Sequence, residues 1–289
     1  MHAAIDYCMK WYPEDWWKIS NRVVVLTVPH EQALFDLYQE CLNRNYKAAL
    51  FCEPDKDYQA TALALEPTQL EGLDLSKLSL LGKKVSPFPV NAARKELSHK
   101  LENAYQNDRQ TLMQHGSSIR EAAFNLLERI YGGRARGQEH WDTVVPEVML
   151  EGPFNEFLRA NLHDVKTIWN YTLFHDCGKP DCLEFDAEGR RHFPNHEVCS
   201  SEVWSQIGTE DEARLMLLDM SLHRLKADGF EDFMSKTSTK DVATLLLSAY
   251  AEVYANAVDN SVEGVESVSF KIKKKHLDRL TKKLIPRYT

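Results

Sequence analysis

The sequence predicts an α+β protein, with its strands near the start of the chain and helices after them. Three apolar runs, Arg22–Val28, Ala48–Cys52 and Thr61–Leu65, are bounded by turn residues and are typical of buried strands. Between the first two runs, Glu31–Asn43 carries apolar residues at the spacing of one helix face. The order strand, helix, strand, strand predicts a small α/β unit with a mixed sheet.

Residues around these elements indicate where they begin and end. A helical pattern over His2–Tyr12 is broken by Pro13, and Pro67 closes the third strand. The segment Glu53–Asp57 has the proline and charged residues of a turn. The aromatic residues at this end favour a hydrophobic lid on the sheet over a stacking platform for nucleic acid; they are Trp11, Trp16 and Trp17.

Beyond this unit the apolar residues follow a helical period. We expect amphipathic helices over residues 91–107, 117–131, 141–150 and 242–258. The glycine-rich basic loop 132–137 follows a helix, which favours a linker or lid over a phosphate-binding loop. The chain is therefore expected to divide into an α/β domain (1–84), a helical linker (85–134) and a second domain (135–289).

The composition is that of an ordinary globular protein, but its charge is unevenly distributed. The 289 residues carry a net charge of −8, which argues against a surface that binds nucleic acid everywhere. Residues 271–289 nevertheless hold eight of the 35 lysines and arginines and one of the 43 acidic residues. Such a basic end can contact phosphates or the acidic body of the protein, or it can be a solvated terminus.

The six cysteines include no Cys-x-x-Cys pair, and no signal-peptide pattern is visible. We therefore expect reduced thiols and a cytoplasmic protein. No apolar run approaches the length of a membrane span, so no membrane association is expected.

The densest group of potentially catalytic residues is His175-Asp176, followed by Gly178, Lys179 and Pro180. The apolar run 170–174 before it is typical of the last turns of a buried helix, which the glycine and proline then end. An imidazole nitrogen and a carboxylate oxygen at one helix end suit a divalent metal. Thiolate ligation of zinc by the nearby cysteines is the alternative.

These residues resemble the motif of the HD-domain phosphohydrolase superfamily. The doublet His175-Asp176 is followed after a turn by His192-Phe-x-x-His196, a spacing similar to that in the HD domain of some bacterial tRNA nucleotidyltransferases. The resemblance covers about residues 135–265. It implies an all-helical, metal-binding second domain that hydrolyses phosphate esters with metal-activated water, using one or two ions of Mn, Fe, Mg, Zn, Ni or Co.

The resemblance also implies a set of metal ligands on several helices. His196, at the start of a helical pattern, fits the next histidine, and His223 fits the one after it. Asp219 lies four residues before His223 and is expected on the same helix face. The upstream histidine is left open between His140, His163 on the helix of His175, and the more distant His115. The expected ligands are His140, His175, Asp176, His196, Asp219, His223 and Asp259.

Three cationic residues near the motif are candidates for binding the substrate phosphate. Lys179 is expected to act as a point charge in catalysis and phosphate binding, with a surface lysine as the alternative. Arg190 and Arg191 are expected in a short strand or turn, where they either bind phosphate or are solvated. His192 is expected in the same loop and outside the ligand set.

The first unit resembles the archaeal and eukaryotic type of peptidyl-tRNA hydrolase. The resemblance rests on Val23–Val28, on the helix from Glu31 to Tyr38 and on Thr61–Pro67, with 78–83 similar to the closing segment of that family. The family's first strand, with its catalytic lysine, has no counterpart here, and Glu53-Pro-Asp55 replaces its Asp-Ala-Gly loop. The resemblance therefore implies a fold without that activity.

The combined expectation is a metal-dependent phosphohydrolase acting on a nucleotide, a cyclic phosphodiester or an RNA-terminal phosphate. The partners would be a phosphorylated small molecule or an RNA end. The alternative is a non-catalytic module that binds a nucleotide or tRNA. The sequence leaves the oligomeric state open, with a homodimer among the options.

Overall fold

The computed structural model describes residues 2–11, 26–53, 58–66, 72–80, 92–133 and 138–288. The elements before residue 92 are α1 (His2–Trp11), β1 (Leu26–Thr27), α2 (Glu31–Asn43), β2 (Ala48–Glu53), β3 (Gln59–Leu65) and β4 (Ser79–Leu80). The later strands are β5 (Tyr105–Asn107), β6 (Gln110–Thr111), β7 (Glu184–Phe185) and β8 (Arg191–His192).

Helices dominate the rest of the chain and confirm the α+β class. They are α3 (Ala92–Glu102), α4 (Leu112–Ile130), α5 (Trp141–Val144), α6 (Pro153–Asn161), α7 (Val165–Phe174), α8 (His196–Trp204), α9 (Glu210–Leu218), α10 (Ser221–Arg224), α11 (Phe230–Lys236), α12 (Thr239–Asn260) and α13 (Val268–Tyr288).

The strands pair in antiparallel fashion. β2 pairs with β3, with Ala48 opposite Leu65, and β1 pairs with β4. The mixed sheet expected from the sequence is therefore not found among the described residues. Of the strand expected over Arg22–Val28, only Leu26–Thr27 forms a described strand; residues 22–25, the turn at 54–57, Pro13, Trp16, Trp17 and Pro67 lie outside the described ranges.

Three expected helices have different boundaries. α3 ends at Glu102, and the β5–β6 hairpin replaces the rest of the expected helix. In the tight turn of this hairpin, the Asn107 side chain accepts a hydrogen bond from the Arg109 backbone N–H. α4 begins before residue 117, where Thr111 and Gln114 cap each other reciprocally. α5 lasts one turn, because the proline at 146 cannot donate a backbone hydrogen bond, and a 3₁₀ turn follows at 147–149.

One hydrophobic core joins the first elements to the helices. Phe35 of α2 packs edge-on against Trp169 of α7, with 5.7 Å between ring centroids, and Phe124 of α4 meets the same indole at 5.0 Å. The hydroxyl of Tyr38 donates to the buried carboxylate of Glu128 at 2.6 Å. The α/β unit therefore packs directly on the helices that carry the candidate site.

All six cysteines are free thiols, as expected from the sequence. Among the described residues, the helices lack the combination of length and apolarity that crossing a bilayer requires.

Candidate metal centre

His175 and Asp176 lie at the buried end of α7. Asp164 caps the start of α7, because its carboxylate accepts the backbone N–H of Thr167. His175 occupies the C-terminal cap position of the same helix. A tight turn through Gly178 follows, as the glycine predicted. Both side chains of the doublet are buried, His175 to 3% and Asp176 to 4% exposure.

Backbone contacts fix the orientation of the His175 ring. Its Nδ1 lies 3.1 Å from the carbonyl oxygen of Thr172, and because a carbonyl only accepts, Nδ1 carries the proton. Nε2 therefore points away from the helix, towards Asp176 Oδ2 at 3.3 Å, where it makes no hydrogen bond with the described residues. A ring held in this way presents Nε2 as a metal ligand.

Asp176 is surrounded by nitrogen atoms. Its Oδ2 accepts a hydrogen bond of 2.6 Å from Lys179 Nζ and lies within 3.4 Å of His115 Nε2, while Oδ1 lies 3.5 Å from His196 Nε2. Burial acts to raise the pKa of Asp176, but the charges of His175 and Lys179 outweigh it and hold the pKa well below its usual range. The carboxylate is therefore ionised and able to bind a cation.

His115 of α4 is the upstream histidine that the structure brings to the doublet, in place of the expected His140. One ligand atom from each of His115, His175 and Asp176 lies within 4.8 Å of the others. Burial lowers the pKa of His115 to about 4, so the ring is neutral near pH 7. A neutral imidazole has the lone pair that metal binding requires.

A glycine allows α4 and α7 to approach closely enough to form this cluster. Gly116 follows His115, and a Cβ atom there would lie 2.0 Å from the Leu173 carbonyl oxygen of α7. No side chain fits at this distance without moving one of the helices. Gly116 therefore positions His115 opposite His175.

His196, at the start of α8 as the sequence predicted, approaches the Asp176 side of the cluster. Its Nδ1 donates to the Phe193 carbonyl oxygen at 3.1 Å, so that Nε2 faces Asp176. Gly178 provides the space for this approach, because a Cβ there would lie 2.2 Å from the backbone nitrogen of Ser200. His175 and His196 are thus oriented by the same device, a bond from Nδ1 to a backbone carbonyl.

A second group of titratable side chains adjoins the cluster. His223 Nε2 lies 2.9 Å from Oε2 of Glu252, which α12 carries. Burial acts to raise the pKa of Glu252, but the charge and hydrogen bond of His223, together with the charges of His175 and His115, outweigh it and hold the pKa below its usual range. Glu252 is therefore the acidic residue that α12 contributes to this region.

Asp219 lies beside the same group. Its Oδ1 accepts a hydrogen bond of 2.5 Å from the hydroxyl of Tyr171 in α7. Burial raises the pKa of Asp219, the His175 charge lowers it, and the Glu252 charge raises it further, with a net upward shift. The expectation that Asp219 and His223 lie on one helix face is wrong. Asp219 follows the end of α9 at Leu218, whereas His223 lies in α10, which begins at Ser221.

The remaining expected ligands lie in other surroundings. His140 precedes α5 and stacks on the ring of Tyr254, with 4.6 Å between centroids. Asp259 is exposed near the end of α12 and accepts a hydrogen bond from Gln110. His163 lies just before α7 and not within it, and it donates to Asp241 at 2.9 Å.

The three candidate phosphate-binding cations differ in their surroundings. Lys179 is buried, donates to Gln106 Oε1 as well as to Asp176, and lies over the Phe193 ring. Arg190 is exposed and binds Asp186 and Glu188, and Arg191 binds Asp108. His192 pairs with Asp186 in the β7–β8 hairpin, the loop position expected from the sequence. Of the three cations, Lys179 is the one that contacts the His115-His175-Asp176 cluster, through Asp176.

The electrostatics of the cluster fit a bound cation. Asp176, Asp219 and Glu252 are carboxylates near one another, and Lys179 is the buried ammonium group beside them. Burial acts to lower the pKa of His175, but Asp176, Asp219 and Glu252 together outweigh it and raise the pKa to about 9. Because the same field would stabilise a metal cation, the His115-His175-Asp176 cluster is able to hold a metal ion.

Comparisons of the chain with protein-family models, with curated proteins and with solved structures found no match. The fold and the site themselves define an α+β protein with a buried His-His-Asp cluster between helices.

Proposed function

We propose that the protein is a metal-dependent phosphohydrolase that acts on a nucleotide, a cyclic phosphodiester or an RNA-terminal phosphate. The observation that carries the proposal is the convergence of His115, His175 and Asp176 from two helices on one buried point. His196 would be a further ligand, because its Nε2 faces Asp176 from a third helix. The resemblance of the His175-Asp176 motif to the HD superfamily supports the reaction class.

A divalent metal held by these residues would supply Lewis acidity and lower the pKa of a water molecule. The donor set of imidazole nitrogens and carboxylate oxygen suits Mn, Fe, Co, Ni or Zn better than Mg. Hydrogen bonds from Nδ1 to backbone carbonyls keep His175 and His196 in the tautomer that ligation needs.

Lys179 is the residue of this chain best placed to neutralise a substrate phosphate. Its ammonium group is held between Asp176 and Gln106, within hydrogen-bond distance of both. A buried ammonium near a phosphate is worth more than an exposed one, because water screens it less. Arg190 and Arg191 are engaged by acidic neighbours at the surface, which makes them weaker candidates for this role.

One observation favours the alternative, a non-catalytic module that binds a nucleotide or tRNA. The Lys179 ammonium already compensates the charge of Asp176. Such a site can remain folded with no metal and bind an anion through Lys179 alone.

Metal analysis followed by a phosphoester panel tests the proposal. The purified protein, loaded with Mn²⁺, should contain stoichiometric metal and hydrolyse p-nitrophenyl phosphate, bis-p-nitrophenyl phosphate or a 2′,3′-cyclic nucleotide. Asp176→Asn should abolish both properties, whereas Asp186→Asn, a carboxylate of the β7–β8 hairpin, should preserve them. A metal-free protein that binds nucleotide without turnover would establish the alternative instead.

A further inference from the structure

The last helix, α13, has one face in the core and the opposite face covered with cations. Its buried residues are Phe270, Leu277, Leu280, Thr281 and Leu284. Lys271, Lys275, Arg279 and Lys282 follow one another at intervals of three or four residues on the other side, and all four are exposed. At 1.5 Å per residue, this basic stripe is about 17 Å long.

The cations outside the basic stripe are largely engaged by the protein. Lys274 binds Asp278 at 2.7 Å, Arg287 binds Glu231, and Lys283 lies over the Phe230 ring. Asp278 is the one acidic residue in the sequence of α13, and it also accepts a hydrogen bond from the hydroxyl of Tyr250. No carboxylate of α13 is therefore left to neutralise the basic stripe.

The basic stripe itself is mostly unpaired. Lys271 pairs with Glu266 at 2.8 Å, but both side chains are more than half exposed. Lys275, Arg279 and Lys282 form no ion pair with any residue in the described ranges. Three cations in a row on one helix face are thus available to an external anion.

The helix of the basic stripe packs against the surroundings of the candidate metal centre. His276 Nε2 donates to the Leu222 carbonyl oxygen at 2.8 Å, which ties α13 to α10, the helix of His223. His223 pairs in turn with Glu252, on which the charges of His175 and His115 act. The basic stripe and the candidate metal centre are therefore connected through α10.

We propose that the basic stripe binds the phosphate backbone of a single strand of nucleic acid and directs its end to the candidate metal centre. The inference rests on the proposed function and names the substrate class of the same site. Phosphates recur along a strand, so that a row of cations on a rigid helix can bind several at once. The basic stripe is a single row of cations on a protein whose net charge is −8, so it offers contacts for the phosphates of one strand.

An anionic membrane is the competing partner for a basic helix, and the packing of α13 argues against it. A helix that binds at a membrane inserts its apolar face into the lipid. The apolar face of α13 is buried in the core, and the exposed apolar residues of this helix are Val268 and Ile272 at its first turns. Binding the phosphate backbone of a nucleic acid requires only the exposed cations of the basic stripe.

Binding of a short fluorescently labelled single-stranded RNA to the full chain, measured by polarisation over a range of salt concentrations, tests the inference. The triple variant Lys275→Gln, Arg279→Gln, Lys282→Gln should bind at least about tenfold more weakly and lose about two from the slope of log affinity against log salt. The matched control, Lys95→Gln, Lys226→Gln, Lys240→Gln, removes the same charge from exposed positions elsewhere and should bind as the wild type does.

Equal RNA binding by the wild type and the stripe variant would overturn the inference, as would a wild type that binds no RNA. Binding to phosphatidylserine vesicles through the basic stripe, without RNA binding, would identify a membrane as the partner and overturn it too. In hydrolysis, the stripe variant should raise KM for an oligonucleotide and leave turnover of p-nitrophenyl phosphate unchanged.

The two proposals fail in different ways. Stripe-dependent RNA binding by a wild type that hydrolyses no phosphoester would refute the proposed function and leave the binding surface intact. Hydrolysis of p-nitrophenyl phosphate by a protein that binds no RNA would refute the binding surface and leave the proposed function intact.

Discussion

Nε2 of His115 in α4 lies 3.4 Å from Oδ2 of Asp176, in the turn that follows α7. The contact depends on Gly116, where any Cβ would meet the α7 backbone. The candidate metal centre is therefore a product of helix packing.

The identity of the upstream ligand can be tested by comparing two histidines. His115→Gln should lower the affinity for Mn²⁺ or Co²⁺ by more than about 100-fold, because it removes a ligand and not merely a supporting residue. His140→Gln should leave the affinity unchanged, because His140 stacks on Tyr254 outside the cluster. Calorimetric metal titration of both variants measures the difference. Tight binding by His115→Gln would show that the cluster is not the metal site.

The two candidate carboxylates of α12 should differ in their contribution to stability. Glu252→Gln weakens the partly buried pair with His223 and should lower the free energy of unfolding by about 1.5–3 kcal/mol. Asp259→Asn, at an exposed position of the same helix, should change it by less than about 0.5 kcal/mol. Urea denaturation of the metal-free proteins measures both values. Equal effects would contradict the pairing of Glu252 with His223.

Adding one methyl group at position 116 should disrupt the metal centre. Gly116→Ala places a Cβ 2.0 Å from the Leu173 oxygen, and overpacking of this kind costs about 1–3 kcal/mol. Because α4 and α7 must separate, metal affinity should fall together with the midpoint of thermal unfolding. Gly229→Ala is the control, since its nearest neighbour, 3.6 Å away, is a leucine side-chain carbon. A fully metal-binding Gly116→Ala protein would show that helix separation is tolerated.

Asp241 should make stability depend on pH in the acid range. Burial acts to raise its pKa, but hydrogen bonds from His163, Arg214 and Ser238 outweigh this effect and hold the pKa below its usual range. The stabilisation is therefore fully present above the unfolded pKa of about 3.9 and is lost as the pH falls through the folded value.

Asp241→Asn should consequently cost about 1.5–3 kcal/mol at pH 7, because it removes the charged acceptor of the hydrogen bonds from His163, Arg214 and Ser238. The difference from the wild type should shrink below pH 4, where the carboxylate of the unfolded wild-type chain begins to take up its proton while that of the folded protein stays ionised. Denaturation curves at pH 7, 4 and 3 measure the trend. A difference that is constant across this range would contradict the role of the ionised carboxylate.

The local part of the site could be predicted from the sequence. His175, Asp176 and the glycine turn are adjacent in the chain, and His196 begins a helix whose pattern is visible. His115 is the most distant in sequence of the three histidines left open for the upstream position, and the expected helix begins two residues after it, at 117. The Thr111-x-x-Gln114 capping box moves that start to Leu112 and places His115 on the buried face. This capping box is the sequence signal that points to His115 as a ligand.

The distant carboxylate was not predicted, for a different reason. Both Asp259 and Glu252 lie in the C-terminal half of one apolar helix, and the expected ligand was the one at its end, Asp259. Glu252 is flanked by Ala251 and Val253 within the buried run, whereas Asp259 adjoins the exposed end. An acidic residue inside an apolar stretch was the available signal.

The pairing of the strands was predictable in part. β2 ends at Glu53 and β3 begins at Gln59, a connection too short for the crossover that parallel strands need. An antiparallel hairpin was therefore implied by the spacing. The pairing of β1 with β4 was not, because it joins segments that are far apart in the chain.

The contact of Phe35 with Trp169 has a consequence for how this chain can be altered by recombination. The indole of α7 fills a space bounded by α2 on one side and α4 on the other. Transplanting residues 92–288 alone would leave this indole facing water and would loosen the helix that ends at His175. The α/β unit therefore completes the hydrophobic core around α7, and exchanging it for another fold would require a replacement for Phe35.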